Sequence, residues 1–324
     1  MARTRLLVRL KPSTTNERPE PISSRQPGFD ADLDLIEATQ IDEDSVILVP
    51  DVYIDEPDDS LEAIWRDEYS ASRCWKTTAI YEQIGENHPH VVSFKRRDPW
   101  TALPVLAKPS GPPVTKFITE HRSTMYSAPL DAPTSRILPS HRPLAYQWAL
   151  HIISGLTFVH SHDVIFGDLN LIHCWLSSDS HLSLSLVGFV NAGFNYVERW
   201  SHIIHGDRTN GNNFHPLEHQ ANPTKQTDLF LYGCTVYELM TGFWPATRSG
   251  IPTWREIAAM VPRKEWPLLE AECMGEIVRK CWNGEYASAE EVKASVVAFL
   301  GGLGWEIEGD DDLKGFNATD LFSQ

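Results

Sequence analysis

Histidine and aspartate supply the chemistry-bearing side chains of this sequence, and they fall in three places. Asp168 stands in the run Phe166-Gly167-Asp168-Leu169-Asn170, with His173 shortly after it. A lone loop aspartate is the ordinary acceptor of an Asx turn, and the imidazole of His173 prefers soft transition metals to hard magnesium. His160-Ser161-His162-Asp163 reads as the polar end of a helix, since no G-x-S-x-G accompanies it to suggest a hydrolase. His202, His205, His215 and His219 have spacings that zinc tolerates, yet no cysteine lies among them. The five cysteines, Cys74, Cys174, Cys234, Cys273 and Cys281, are odd in number and make no C-x-x-C pair. That usage points to reduced thiols inside the cell and not to a disulfide framework or a metal site.

These residues need a scaffold, and the chain has the material for one. It has 324 residues, 42% of them hydrophobic, with 11 Trp; a chain of this length buries roughly three quarters of the surface its unfolded form exposes. The formal net charge of −16 argues against nucleic acid as a partner, and the basic turn Lys95-Arg96-Arg97 is too small for a nucleic-acid footprint. Most of the imbalance lies between Asp30 and Glu68, where fifteen acids stand against one base, Arg66. No stretch approaches the roughly 18 to 20 apolar residues that cross a bilayer, and no secretory signal is read. An intracellular protein, cytoplasmic or nuclear, with no membrane partner is the expectation.

Residues 1–29 carry Pro12, Pro19, Pro21 and Pro27 among Ser, Thr and Arg, the composition of a disordered basic tail. Strand-type runs follow at Ser45–Val49 and Asp51–Ile54, then an acidic turn at Asp55–Asp59 and Ser60 as an N-cap. Leu61, Ile64, Trp65, Trp75, Ala79 and Ile80 recur at helical intervals up to Gly85, with Ser70–Ser72 as a potential break. His90–Phe94 and Ala102–Leu106 are further strand candidates, and the proline-rich stretch from Pro109 to Pro143 reads as a connector. The pattern then turns helical. Leu144, Trp148, Ile152, Leu156 and Val159 mark one face of a helix running to about His162. Leu229, Phe230, Tyr232, Val236, Leu239 and Met240 mark a second, ending at Gly242, and no internal repeat is present.

The segment Val164–Leu176, directly after the first of these helices, resembles the catalytic loop of protein kinases. In that family H-R-D-L-x-x-x-N supplies an Asp that receives the substrate hydroxyl proton and an Asn that holds magnesium. The resemblance places Phe166 at the His, Gly167 at the Arg, Asp168 at the catalytic Asp and His173 at the metal-binding Asn. Leu184–Val190 is similar to the strand entering D-F-G, with Phe189 kept and Gly188 and Val190 replacing the Asp and Gly. Pro216-Leu217-Glu218 is similar to A-P-E, and Asp228 to Gly233 is similar to the buried D-x-W/F-x-x-G helix. Tyr81–Gly85 and His88–Val92 resemble the end of the αC helix and the next strand, and Ile277–Trp282 the terminal helix. The fold this implies is α+β and two-lobed, protein-kinase-like, with a small β-rich N-lobe over 30–107 and a larger helical C-lobe over 108–303. The basic tail 1–29 and an acidic C-terminal tail, 304–324, flank it. Glu218, Asp228 and Gly233 take structural roles in this reading, Asp228 by capping backbone N–H groups of the catalytic loop.

Phosphoryl transfer in the resembled family rests on positioning the nucleotide and neutralising its charge, and four parts of that machinery are missing. No glycine lies between Gly28 and Gly85, and no lysine between Lys11 and Lys76, so the phosphate-covering glycine loop and the strand lysine are both absent. His173 replaces the catalytic-loop Asn, and Gly188 the D-F-G Asp. Gly167 also removes the arginine that pairs with a phosphorylated activation loop. The implied function is that of a pseudokinase, a protein-binding scaffold or allosteric regulator in which Asp168 is vestigial. No cofactor and no metal are expected, and the partner is another protein, an active kinase among the candidates. The rival expectation is a divergent active kinase that uses ATP and magnesium to phosphorylate a protein hydroxyl with Asp168 as base.

Overall fold

Apolar strands and long amphipathic helices sort into a mixed α+β structure. The computed structural model describes residues 36–50, 61–130, 134–190, 192–194, 224–245 and 260–322. The tail 1–29, the strand expected at Asp51–Ile54, the acidic turn Asp55–Asp59 and the cap Ser60 lie outside the described residues. The chain divides into two compact units, one running to Glu82 with Ser93–Lys108 added, the other taking Gln83–Val92 and everything from Pro109.

In the smaller unit, a four-stranded antiparallel sheet has the order β1-β2-β4-β3, with β1 Ile36–Asp42, β2 Ser45–Pro50, β3 Phe94–Arg97 and β4 Pro104–Ala107. Every residue of β2 is buried, which fits its unbroken apolar run between β1 and β4. Helix α1, Leu61–Ile84, continues through Ser70–Ser72 without the break the serines suggested. The hairpin joining β3 to β4 is fastened to this helix. Trp75 Nε1 donates to Thr101 O at 2.9 Å, Thr78 Oγ1 donates to Ala102 O at 2.9 Å, and Tyr81 stacks on Phe94 at 5.4 Å. Arg97 pairs through two nitrogens with the Glu82 carboxylate.

In the larger unit, α4 Arg142–Ser161 is central and packs on α5 Lys225–Thr241, on α7 Ala289–Gly302 and on strand β7 Leu184–Leu186. The α4 helix is buried on most of its circumference, which its apolar sequence permits. Helix α5 starts at a Thr224/Thr227 capping box and stops at Gly242, whose φ of 75° closes the last turn. Trp148, Trp175 and Trp282 are the largest fully buried side chains.

Two sequence expectations, the strand at His90–Phe94 and the C-terminal tail, are corrected here. The stretch expected as one strand at His90–Phe94 is split. Val91 bridges Leu186 and Val92 N donates to Leu186 O at 2.8 Å in the larger unit, whereas Phe94 begins β3 in the smaller. The proline-rich connector holds its regular structure in short pieces, as its prolines require: two helices, α2 Val114–Glu120 and α3 Arg122–Met125. Proline breaks helix interiors, but Pro113 stands at the cap of α2, where no intrahelical donor is required. The acidic segment from 304 is folded as part of the larger unit, with a hairpin of Ile307–Glu308 and Asp312–Leu313 and a 3-10 turn at Ala318–Leu321.

The partners of that segment are buried polar groups of the core. Asp311 Oδ2 lies 3.2 Å from His90 Nε2 and accepts from Ser154 Oγ, while Asp312 Oδ1 lies 3.1 Å from His151 Nε2. The two rings stack at 3.9 Å, and one residue addresses both. Leu184 O takes the Nδ1 proton of His90 at 2.8 Å, and Leu184 N–H donates to His151 Nδ1 at 3.1 Å. Burial pushes the His151 imidazole down to about 4, in keeping with that neutral, accepting ring. Burial alone would raise Asp311, but the hydrogen bond and charge of His90, with Ser154, hold its carboxyl well below the usual range. Among the described residues, no helix is long and apolar enough to cross a membrane.

Candidate functional site

The site is built where α4, a loop and α5 meet. Helix α4 ends at Ser161, β5 Val164–Ile165 follows, and the chain then runs through Phe166–Asn170 into a 3-10 turn, Leu171–His173, and β6 Cys174–Leu176. Strand β6 pairs with β7, which delivers Val187, Gly188 and Phe189 beside the loop. Asn170 Oδ1 accepts from Ile172 N at 2.8 Å and so caps the 3-10 turn, while His173 N donates to Asn170 O at 3.2 Å. Gly167 and Gly188 have φ of 80° and 71°, a left-handed backbone that side chains resist. The glycines at the two positions where the resembled family has Arg and Asp therefore serve the backbone path.

Asp228, fully buried in the first turn of α5, organises the loop. Its two carboxylate oxygens accept from Phe166 N and Gly167 N, each at 2.7 Å, and Oδ2 also lies 2.8 Å from His160 Nε2. Such charge-assisted bonds to successive N–H groups fix the loop's path against α5. Thr235 Oγ1, two turns along the same helix, adds a bond to Leu169 O at 3.2 Å. His160, read from sequence as part of a polar helix end, is the third partner of Asp228. Its pairing with a residue 68 positions away left no local signal.

Asp168 is 6% exposed, and its carboxylate is engaged within the loop. Oδ1 accepts from Asn170 Nδ2 at 3.1 Å, and Oδ2 lies 3.2 Å from His173 Nε2. His173 is itself buried, edge-on to Phe166 at 5.9 Å, and Phe166 meets Phe189 edge-on at 5.6 Å. Nδ1 of His173 has no hydrogen-bond partner among the described residues. An aspartate and an imidazole at this separation can exchange a proton. Charge neutralisation for a phosphate is another matter, because the sequence has no lysine or arginine between Arg142 and Arg199. Among the described residues, no cluster of three or more His, Cys, Asp and Glu side chains could hold a metal ion.

The structure thus places Asp168 on one loop of the larger unit and Asp228, from α5, against the same loop. Gly233 lies elsewhere. A Cβ on it would stand 3.0 Å from Cys281 Cβ and 3.1 Å from Trp282, so its hydrogen lets α5 and α6, Gly275–Trp282, approach closely. Glu218 and the histidines at 202, 205, 215 and 219 lie outside the described residues. All five cysteines are buried free thiols, and burial raises Cys174, Cys234 and Cys281 well above the usual thiol range. Comparison with protein-family models and with curated proteins finds no match for this chain.

Proposed function

We propose that the chain is a two-lobed, protein-kinase-like fold that has lost nucleotide and magnesium chemistry. It acts as an intracellular pseudokinase, binding another protein as a scaffold or allosteric regulator. One arrangement carries the reading: Asp228 holds the N–H groups of Phe166 and Gly167, and the Asp168 carboxylate beside them is taken up by His173. The first half supports the kinase-like loop and helix. The second supports loss of chemistry, because the residue at the metal-binding position is an imidazole already committed to the aspartate. Gly188, with its φ of 71°, stands where an acid would hold the second side of a metal. The five buried thiols support a reducing compartment.

The test is transfer of labelled phosphate from ATP, with magnesium or manganese, to the chain itself and to general protein acceptors. The reading expects no transfer above the Asp168→Asn background. Transfer that Asp168→Asn abolishes would establish the rival, a divergent kinase with Asp168 as base.

A further inference from the structure

Residues 305–322, within the larger unit, make contacts of their own beside those they make with the core. Ile307–Glu308 pairs with Asp312–Leu313, Lys314 N donates to Glu306 O at 2.9 Å, and Lys314 Nζ pairs with the Glu306 carboxylate. Trp305 meets Phe316 edge-on at 6.1 Å, and Asn317 caps the turn at Ala318–Leu321. These contacts travel with the segment. A short hinge joins it to the body: helix α7 ends at Gly302, Leu303 and Gly304 follow, and Trp305 N already donates back to Leu300 O at 3.0 Å. Residues 301–304 are exposed, and a Cβ on Gly301, Gly302 or Gly304 would meet nothing within 4 Å. Gly304 has a φ of 89°, a backbone that other residues adopt only under strain. The reversal therefore rests on backbone geometry, and side-chain packing does not hold it. The fastening beyond the hinge is polar and directional. Asp311 Oδ2 lies 3.2 Å from His90 Nε2 and accepts from Ser154 Oγ, which in turn accepts from Lys293 Nζ at 3.1 Å. Asp312 Oδ1 lies on both Gln147 Nε2 and His151 Nε2, and Leu313 N donates to Gln147 Oε1 at 2.7 Å. Further along, Ala318 N donates to Ser180 O at 2.7 Å, and Phe322 meets Phe117 edge-on at 5.2 Å. None of these bonds requires arm and seat to belong to the same chain.

We propose that residues 305–322 are an exchangeable arm, and that their seat on α4, α7 and His90 receives the same arm from a second copy of the chain, in a reciprocal two-fold dimer. In the exchanged form each copy's Asp311 and Asp312 sit on the other copy's His90 and His151. Every contact between arm and seat is kept, and only the turn at Leu303–Gly304 opens. Exchange is thus close to neutral in contacts, so concentration decides between the two forms. The closed arm has the advantage at low concentration, because its tether holds it near its own seat at an effective concentration on the order of mM. A hinge this short has few ways to relieve strain other than to extend. Strain placed in the closed turn, with arm and seat intact, therefore shifts the chain toward exchange. The inference does not depend on the kinase-like reading.

Gly304→Val is the test, because a β-branched residue resists positive φ while this position touches neither arm nor seat. Full-length wild type and variant are unfolded in urea, refolded at a concentration of about 1 mM, and sized by chromatography with light scattering. The expected result is a minor dimer in wild type and a dimer-to-monomer ratio on the order of tenfold higher in Gly304→Val. Both dimers should fall to monomer on dilution, and adding Asp311→Asn and Asp312→Asn to Gly304→Val should remove the dimer. Circular dichroism checks that each variant is folded. A second measurement needs no variant. Heavy-isotope and ordinary wild type are refolded together, and the dimer is treated with a carbodiimide, which joins carboxylates to amines. Asp311 and Lys293 share the Ser154 hydroxyl, so a cross-link between Lys293 and Asp310 or Asp311 ties arm to seat. Mass spectrometry should find that cross-link joining heavy to light chains. Monomer alone in both wild type and Gly304→Val, a dimer that survives loss of both aspartates, or arm-to-seat cross-links confined to chains of one isotope overturns the proposal.

Discussion

Replacing Asp228 tests how much of the larger unit depends on one carboxylate. The side chain is fully buried and accepts three hydrogen bonds, from Phe166 N and Gly167 N at 2.7 Å each and from His160 Nε2 at 2.8 Å. Bonds to a charged group contribute roughly 1.5–3 kcal/mol each, and a buried donor left without an acceptor costs about 1–3 kcal/mol. Asp228→Ala orphans two backbone donors in a dry site, so a loss of about 4–6 kcal/mol follows once partial relaxation is allowed. Asp228→Asn keeps one acceptor oxygen but turns an NH2 toward a donor, and about 2–3 kcal/mol is expected. Urea unfolding followed by tryptophan fluorescence and circular dichroism measures both, with the slope m checking that the denatured state is unchanged. The cycle of Asp228→Asn with His160→Gln should show a coupling above about 1 kcal/mol, since the two side chains are in contact. A cost for Asp228→Ala below about 1 kcal/mol would refute the assignment of the carboxylate as the clamp on the loop.

Three further outcomes follow from other sites. A lysine whose amine is lowered from 10.5 to about 7 in the fold is destabilising below pH 7 by about 4–5 kcal/mol, and that penalty fades as pH rises toward 10.5 because the unfolded chain binds the extra proton. Lys76→Met should therefore stabilise the protein by several kcal/mol at pH 6 and by much less at pH 10, as measured by denaturant unfolding across that range. The Asp311 carboxyl is held low by His90 and Ser154, so its contribution is present at neutral pH and lost as pH falls below the ordinary carboxylate range. Asp311→Asn should cost about 2 kcal/mol at pH 7, flatten the acid limb of the stability curve and speed hydrogen exchange in 305–322. Gly233→Ala gains about 1 kcal/mol of helix propensity but forces a methyl to 3.0 Å from Cys281, an overpacking of about 1–3 kcal/mol. A lowered midpoint is expected, and an unchanged or raised one would show that α6 yields freely.

Much of the helical architecture was legible because its signals are local. The spacing of Leu144, Trp148, Ile152, Leu156 and Val159 marks α4, and Gly242 ends α5 in the left-handed conformation that its position suggested. Strand β2 was legible for the same reason, as an unbroken apolar run. The failures concern partners distant in sequence. Val91 and Val92 have strand chemistry, but their pairing with Leu186 assigns them to a different unit from Phe94. The prolines from Pro109 to Pro143 limit regular structure to short pieces, as found, but the sequence does not reveal that Pro113 stands at the cap of α2. The stretch 304–324 reads only as an acidic tail, because His90, His151 and Ser154, which hold Asp311 and Asp312, are well over a hundred residues earlier. At the site, Asp168 and Asp228 could be picked out by the order of motifs, whereas the engagement of Asp168 by His173 required the 3-10 turn that brings the two together.

The most direct test of the central claim is thermal unfolding of the purified full chain with ATP, with and without magnesium. A ligand present at 100 times its dissociation constant stabilises a protein by about 2.7 kcal/mol, a shift of a few degrees for a chain of this size. The account expects no rise in midpoint that depends on magnesium, in wild type or in Asp168→Asn. A magnesium-dependent rise that Asp168→Asn diminishes would contradict it and would place a working nucleotide site on a loop that carries neither lysine nor arginine.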